Sequence, residues 1–323
     1  MENKLHKTAK RLGSMWKASR QLQVGLILFL VVLLIAILAN VLSPYDPYYL
    51  GDDLLVPPGS EGHPLGTNQM GCDILSMILH GSRASLTIGI VSALISGLIG
   101  TLLGAFAGYY GGVLDKITSE IINIFLMIPT FFLVLIIVSM FGSNMFNVML
   151  VIGLTSWPSN ARMMRVQAMS LKERTFIKGA VVMGESRIRI LFKYIIPNGL
   201  FPVIANTTMG VAKAILTEAS LSFLGLGDPN VVSWGQMVYD GKAYLQTGWW
   251  ISTLPGLSIM LIVFVMTVYV PAGLILLAAD LLLIPGLWIS FRMVRKYGQE
   301  KNDICAENVS SIVEYVSGIQ TFR

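Results

Sequence analysis

Few side chains in this sequence can do chemistry, and those that can are scattered. The chain of 323 residues holds three His and two Cys. His63, Cys72, Asp73 and His80 are ligand types within one stretch, but their spacing matches no metal motif, so ordinary loop contacts explain them. Gly241-Lys242 is the nearest approach to a phosphate loop, and Ala243 follows where Ser or Thr is required. There is no H-E-x-x-H, and no convergent set of acids falls within the apolar runs, so a membrane enzyme has little support.

Two groups of residues remain. Asn206, Thr207, Thr208, Lys213 and Glu218 lie in an otherwise apolar run of about 200–217 and its end. Charges at membrane depth are costly and favour a bundle interior or a wet cavity, so this run can line a translocation path. The alternative is that Lys213 snorkels and Glu218 sits at the outer interface. The second group is Phe176 to Pro197. Gly179, Ala180 and Gly184 open it, Arg187, Arg189 and Lys193 follow, and an apolar run closes at Pro197. Small residues let another surface approach the backbone, and the basic amphipathic half suits a docking helix for a soluble partner. A plain basic loop on the cytoplasmic side is the competing reading.

The elements that carry these residues are membrane spans. Of the residues 54% are hydrophobic and 13% charged, and a soluble domain carries about twice that charge. Several apolar runs are long enough to cross a bilayer. The net charge of +5 therefore reports topology rather than a nucleic-acid partner. Residues 1–23 are basic and cytoplasmic, and 24–43 form a retained first span rather than a cleaved signal. Residues 44–83 are an external loop rich in Pro and Asp. Further spans are expected at about 84–109, 121–141 (kinked at Pro129), 146–161 and 200–217, with a sixth starting near Ile251. Asp115 and Lys116 mark a short turn. The segment 162–197 holds eight Lys or Arg against Glu173 and Glu185, which makes it cytoplasmic. Trp234, Trp249 and Trp250 suit the outer interface. Cys72 and Cys305 fall on opposite sides and cannot pair.

Gly100, Gly104, Gly108 and Gly112 recur at every fourth residue, after a similar series of Gly89, Ala93 and Gly97. That spacing puts small groups on one helix face, where a neighbouring backbone can pack closely. The fold class is thus all-α: a polytopic membrane helix bundle of about six spans.

Particular stretches carry a resemblance. They are HPLGT at 63–67, AGYYGG at 107–112, LTSWPSNAR at 154–162, EASLSFLGLG at 218–227, Ser233-Trp234-Gly235 and Leu254-Pro255-Gly256. Together they make residues 20–268 similar to the inner-membrane permease subunit of a peptide/nickel-type ABC importer, the dipeptide and oligopeptide group. The resemblance implies a type I ABC importer permease-like core over 84–270. It also implies a second permease subunit, two ATP-binding subunits and an external substrate-binding protein as partners, with membrane lipid around them. This subunit would need no cofactor of its own. Such permeases carry a cytoplasmic coupling loop of E-A-A, then Gly, then I-x-L-P. Here that pattern falls on Lys178-Gly179-Ala180, Gly184 and Tyr194 to Pro197, with Lys178 and Gly179 in place of the acid and the first Ala. The resemblance makes this loop, with Arg187, the site that docks the ATPase.

The tail departs. Residues 271–323 continue apolar to Phe291 and end in ENVSSIVEYVSGIQTFR, which resembles the cytoplasmic helix after a span in exporter-type ABC transmembrane domains. A join near 266–271 is expected, with a divergent native tail as the alternative, and one crossing plus a bent segment over 251–291 is favoured over two crossings, which would put Arg292, Arg295 and Lys296 outside. A chimeric subunit that inserts without coupling to transport is the alternative function.

Overall fold

The computed structural model describes residues 20–269. The expected basic segment up to residue 19 and the tail 271–323, with the resemblance carried there, lie outside the described residues. Every named element is helical. Two isolated bridges, Ser60 to His63 and Thr67 to Asp73, hold the long loop.

Helix α1 spans Arg20–Leu42. Its end meets the start of α2, Ile74–Tyr110, in an antiparallel clasp. The Arg83 guanidinium donates to the carbonyls of Ala36 (2.5 Å) and Ile37 (2.8 Å), and His80 reaches Asn40 at 3.2 Å. These carbonyls lie in the last two turns of α1, at the negative end of its dipole, where a cation is favoured. Helix α2 has 37 residues, about 55 Å of rod. Asp73 caps it by accepting from the Ser76 N–H at 2.8 Å, so the last ten residues of the expected external loop belong to this helix. Gly111, at φ 69°, ends it with its N–H returned to the Ala107 carbonyl.

The turn expected at Asp115 and Lys116 falls instead at Gly111 and Gly112, both at positive φ. Asp115 lies in the first turn of α3, Gly112–Met127, where an acid complements the helix dipole. The expected kink at Pro129 is an 86° break between α3 and α4, Thr130–Phe141. Proline pushes Ile128 into extended backbone (φ −88°, ψ 126°), and the helix cannot continue through it.

Helix α5, Met145–Lys172, starts under an Asn144 cap. After α6, Thr175–Val182, one rod of 40 residues runs from Arg187 to Leu226. It comprises α7, Arg187–Ile190, a π-turn over Leu191–Ile195, α8, Ile196–Leu221, and a second π-turn over Ser222–Leu226. The loop therefore does not close at Pro197. The π-turn ahead of Pro197 makes room for its ring and its missing N–H, and the helix passes through. Helix α9, Trp234–Gly241, lies across the loop end, and α10, Trp250–Phe264, extends as a π-turn to Tyr269.

Among the described residues, three rods are long and apolar enough to cross a membrane: α2, Arg187–Leu226 and Trp250–Thr267. The bent α3–α4 pair makes a fourth. Helix α5 is long, but Ser156, Ser159, Asn160, Arg162 and Arg165 lower its hydropathy. The contacts fix directions. Ser92 bonds to Met149 and Gly108 meets Arg165, so α2 and α5 run parallel and α3–α4 must carry the chain back between them. Gly89 meets Ile215 while Gly97 meets Thr207, so α8 runs antiparallel to α2.

The two glycine series serve two faces of α2. A Cβ on Gly100 would sit 2.8 Å from the Trp157 carbonyl, and Cβ atoms on Gly104 and Gly108 would strike the carbonyls of Ala161 and Arg165. Gly89 and Gly97 face α8, where added Cβ atoms would come within 2.9 Å of Ile215 and Thr207. Helices in lipid associate through such close van der Waals approach. Gly112 lies outside the series, beyond the end of α2, and no described residue past its chain neighbours comes within 4 Å of a Cβ placed there.

Candidate functional site

The basic stretch forms an elbow. Ile177 and Ala180 of α6 are buried against the bundle. The helix ends in a Schellman turn: the Gly184 N–H donates to Val181 at 3.0 Å, and the Glu185 N–H donates to Ala180 at 3.1 Å. This requires Gly184 at φ 76°, a conformation costly for residues with a Cβ. Ser186 then caps α7. Glu185, which sequence reasoning passed over, ties the turn to the following rod by accepting from the Tyr194 hydroxyl at 3.1 Å and Lys193 at 3.3 Å. Tyr194 and Ile195 are buried beneath.

What the elbow presents outward is apolar with a basic rim. Val182 is 87% exposed, Val181 56% and Ile188 62%, beside exposed Arg174, Lys178, Arg187 and Arg189. Among the described residues, no atom beyond the chain neighbours and the helix's own backbone comes within 4 Å of a Cβ placed on Gly179 or Gly184. Lys178, standing where the resemblance led to an acid, pairs with Glu173 at 2.9 Å in the open, and its ammonium holds the Glu173 carboxyl below its ordinary pKa.

The polar residues of α8 do not form one group. Asn206 and Thr207 gather around buried Asn160 of α5, which also donates to Ser96 of α2 at 3.0 Å. Asn206 donates to the Asn160 side-chain oxygen at 2.7 Å and Thr207 at 3.4 Å. Asn160 thus joins three helices. Its signal was legible as one more amide in an apolar run, but only the fold shows it to be the hub. Pro197 is half-buried at the base of α8. Lys213 lies on an exposed face with Met209, Leu216 and Ser220. Glu218 is elsewhere: 4% exposed, it accepts from Ser222 and from Ser233, each at 2.8 Å. It belongs neither with Lys213 nor at an open interface.

The four ligand-type residues of the long loop have structural partners. His63 pairs with Asp73 at 2.9 Å and stacks on Tyr45, and His80 bonds to the Ser76 carbonyl. Cys72 is buried, and burial pushes its thiol pKa up. Cys305 lies outside the described residues. Among the described residues, no group of three or more His, Cys, Asp or Glu gathers to hold a metal ion.

Comparison with known proteins adds to this geometry. Residues 100–286 match the family described as binding-protein-dependent transport system inner membrane component. Residues 16–58 match the N-terminal TM domain of oligopeptide transport permease C. The dipeptide transport system permease protein DppC of Haemophilus influenzae is 38% identical over 255 residues, covering 77% of this chain and 86% of that protein. Its Escherichia coli K12 counterpart is 40% identical, covering 77% and 85%. The oligopeptide transport system permease protein OppC of Bacillus subtilis is 33% identical, covering 73% and 80%. A chain of the MetNI methionine ABC transporter, in an inward-facing conformation, superposes with a TM-score of 0.51 at 19% identity over 64% of this chain and 97% of that one, which shows a shared fold. With those relatives and that match, the chain belongs to the family of binding-protein-dependent transport system inner membrane components.

Proposed function

We propose that this chain is the permease subunit of an ATP-driven importer that moves dipeptides or oligopeptides across the cytoplasmic membrane. The names of its relatives favour peptides over a chelated metal such as nickel. It pairs with a second permease, and an external binding protein delivers the substrate. Two separate ATPase subunits supply the energy. The N-terminus and the elbow face the cytoplasm, in keeping with their Lys and Arg content. An uncoupled chimera is not favoured, because the elbow is fully built on its caps and buried anchors.

The observation that carries the reading is the exposed apolar tip of a conformationally fixed elbow. Val181, Val182 and Ile188 stand in water unless a partner covers them, and their rim of cations suits a soluble, acidic-edged groove. Because α7 is continuous with α8, a push on the tip moves a rod of 40 residues as one body. That is the mechanical link a transporter needs between hydrolysis and gating.

The test is co-purification from cells expressing the whole transporter. Val182→Glu puts a charge at the tip without touching a buried contact. It is expected to leave insertion and pairing with the second permease intact and to cut recovery of the ATPase subunits at least tenfold. Undiminished recovery rejects this docking site.

A further inference from the structure

We propose that Glu218, Ser222 and Ser233 form a binding site for one small monovalent cation, at the loop end of α8. The observation behind it is an unmatched oxygen. Glu218 Oε1 accepts from both serine hydroxyls, while Oε2 is buried with no hydrogen-bond partner among the described residues. Burying a carboxylate oxygen without a donor is expensive, and the cost is offset either by a proton or by a bound positive partner.

The surroundings select the occupant. Glu218 lines a narrow cleft, with room for little more than one water-sized occupant, together with Ser222, Asp228 and Ser233, walled by apolar side chains including Ile88, Val148 and Leu221. Among the described residues, two acids and no base line it. Glu218 also lies in the last turn of α8, at the negative end of the helix dipole, and no basic residue occupies that turn. The rod loosens here into a π-turn, with Gly225 at φ 82°. Unwound helix ends that offer carbonyls beside a carboxylate are the environments in which transporters hold Na⁺. A divalent ion is poorly served: Ca²⁺ takes six to eight oxygens, and Asp228 already accepts from the N–H groups of Met145 and Asn230. A bound cation would fix Ser233, and with it the N-terminus of α9, to the end of α8.

The site can be tested without transport, so the result is independent of the peptide reading. The full chain, purified with its partner subunits in nanodiscs, is melted in NaCl, KCl or N-methyl-D-glucamine chloride at equal ionic strength, and ²²Na⁺ binding is counted. Expected are a melting midpoint higher by a few degrees in Na⁺ or K⁺ than in the bulky cation, and saturable binding. Glu218→Gln, which still accepts from both serines, should abolish both effects. Ser233→Ala should weaken binding about tenfold, which keeps the test decisive if the first variant folds poorly. Equal midpoints in all three salts overturn the proposal. So does a stability that follows pH and ignores the cation, since a proton would then be the occupant.

Discussion

Arg165 of α5 grips Asp115 of α3 through both carboxylate oxygens, one of them at 2.7 Å from Nη2. Gly108 of α2 rests on the carbonyl of the same Arg165, so three helices are locked at a single level near the elbow. The pair is only about a fifth to a quarter exposed, and hydrogen bonds to charged groups in such sites contribute about 2 kcal/mol. Arg165→Ala should therefore destabilise the chain by about 2 kcal/mol, and Arg165→Lys by less, since a lysine keeps the charge and one contact while losing the fork. The double variant Asp115→Ala with Arg165→Ala should be more stable than Arg165→Ala alone, because no carboxylate is then left unpaired. Thermal melts of the three variants in detergent read the order; equal melts for the single and the double remove the pairing from the account.

The α2–α5 contact makes a sharper contrast. At Gly104 a methyl group meets the backbone of Ala161, which cannot yield as a side-chain tip would. Gly104→Ala is expected to cost about 2 kcal/mol or more from overpacking. Gly179 is also helical but meets nothing, so Gly179→Ala should stabilise by about 0.5 kcal/mol through helix propensity. Opposite shifts in melting temperature for two identical substitutions are the signature; shifts of the same sign would remove close approach as the cause.

At Gly184 the requirement is conformational. A side chain finds open space there but must adopt φ 76°. Asn tolerates that region better than Ala, and a β-branched residue tolerates it least. Peptide uptake should therefore fall in the order Gly, Asn, Ala, Val at this position. The notion that Gly184 serves close approach alone foretells a different order, by size, with Ala ahead of Asn. Uptake by the whole transporter in cells separates the two.

The regular glycines told in advance that α2 would be packed tightly, because four-residue spacing and helix geometry suffice to place them on one side. They did not tell that 89–97 and 100–108 serve different neighbours, since that depends on how α5 and α8 cross. The elbow was legible as a basic stretch opened by glycines, yet Pro197 misled: a proline ends a helix only when the preceding turn cannot widen, and here it does. Asp115 next to Lys116 read as a surface turn because its partner is Arg165, far away in sequence. Glu218 and Lys213 looked alike as charges near one helix end. Five residues turn a helix by well over a third of a circle, and that puts one against α9 and the other outward.

Asn160 and Lys213 separate what holds the bundle from what the substrate meets. Asn160 is buried, and its amide serves Ser96, Asn206 and Thr207 on two other helices. Asn160→Leu leaves those groups without their partner and should cost about 1 kcal/mol, the usual range for interhelical hydrogen bonds in membranes, seen as a lower melting temperature. Lys213 forms no ion pair among the described residues and is exposed on α8. If its face borders the conduit, Lys213→Gln should leave the melting temperature within about 0.5 kcal/mol of the parent, as surface changes do. Uptake should nevertheless drop several-fold, because a charge that peptides pass has been removed. If that face borders lipid, the ammonium costs energy and its removal should raise the melting temperature while uptake stays unchanged. The two readings move different measurements, so one variant assayed for both melting and uptake assigns the face.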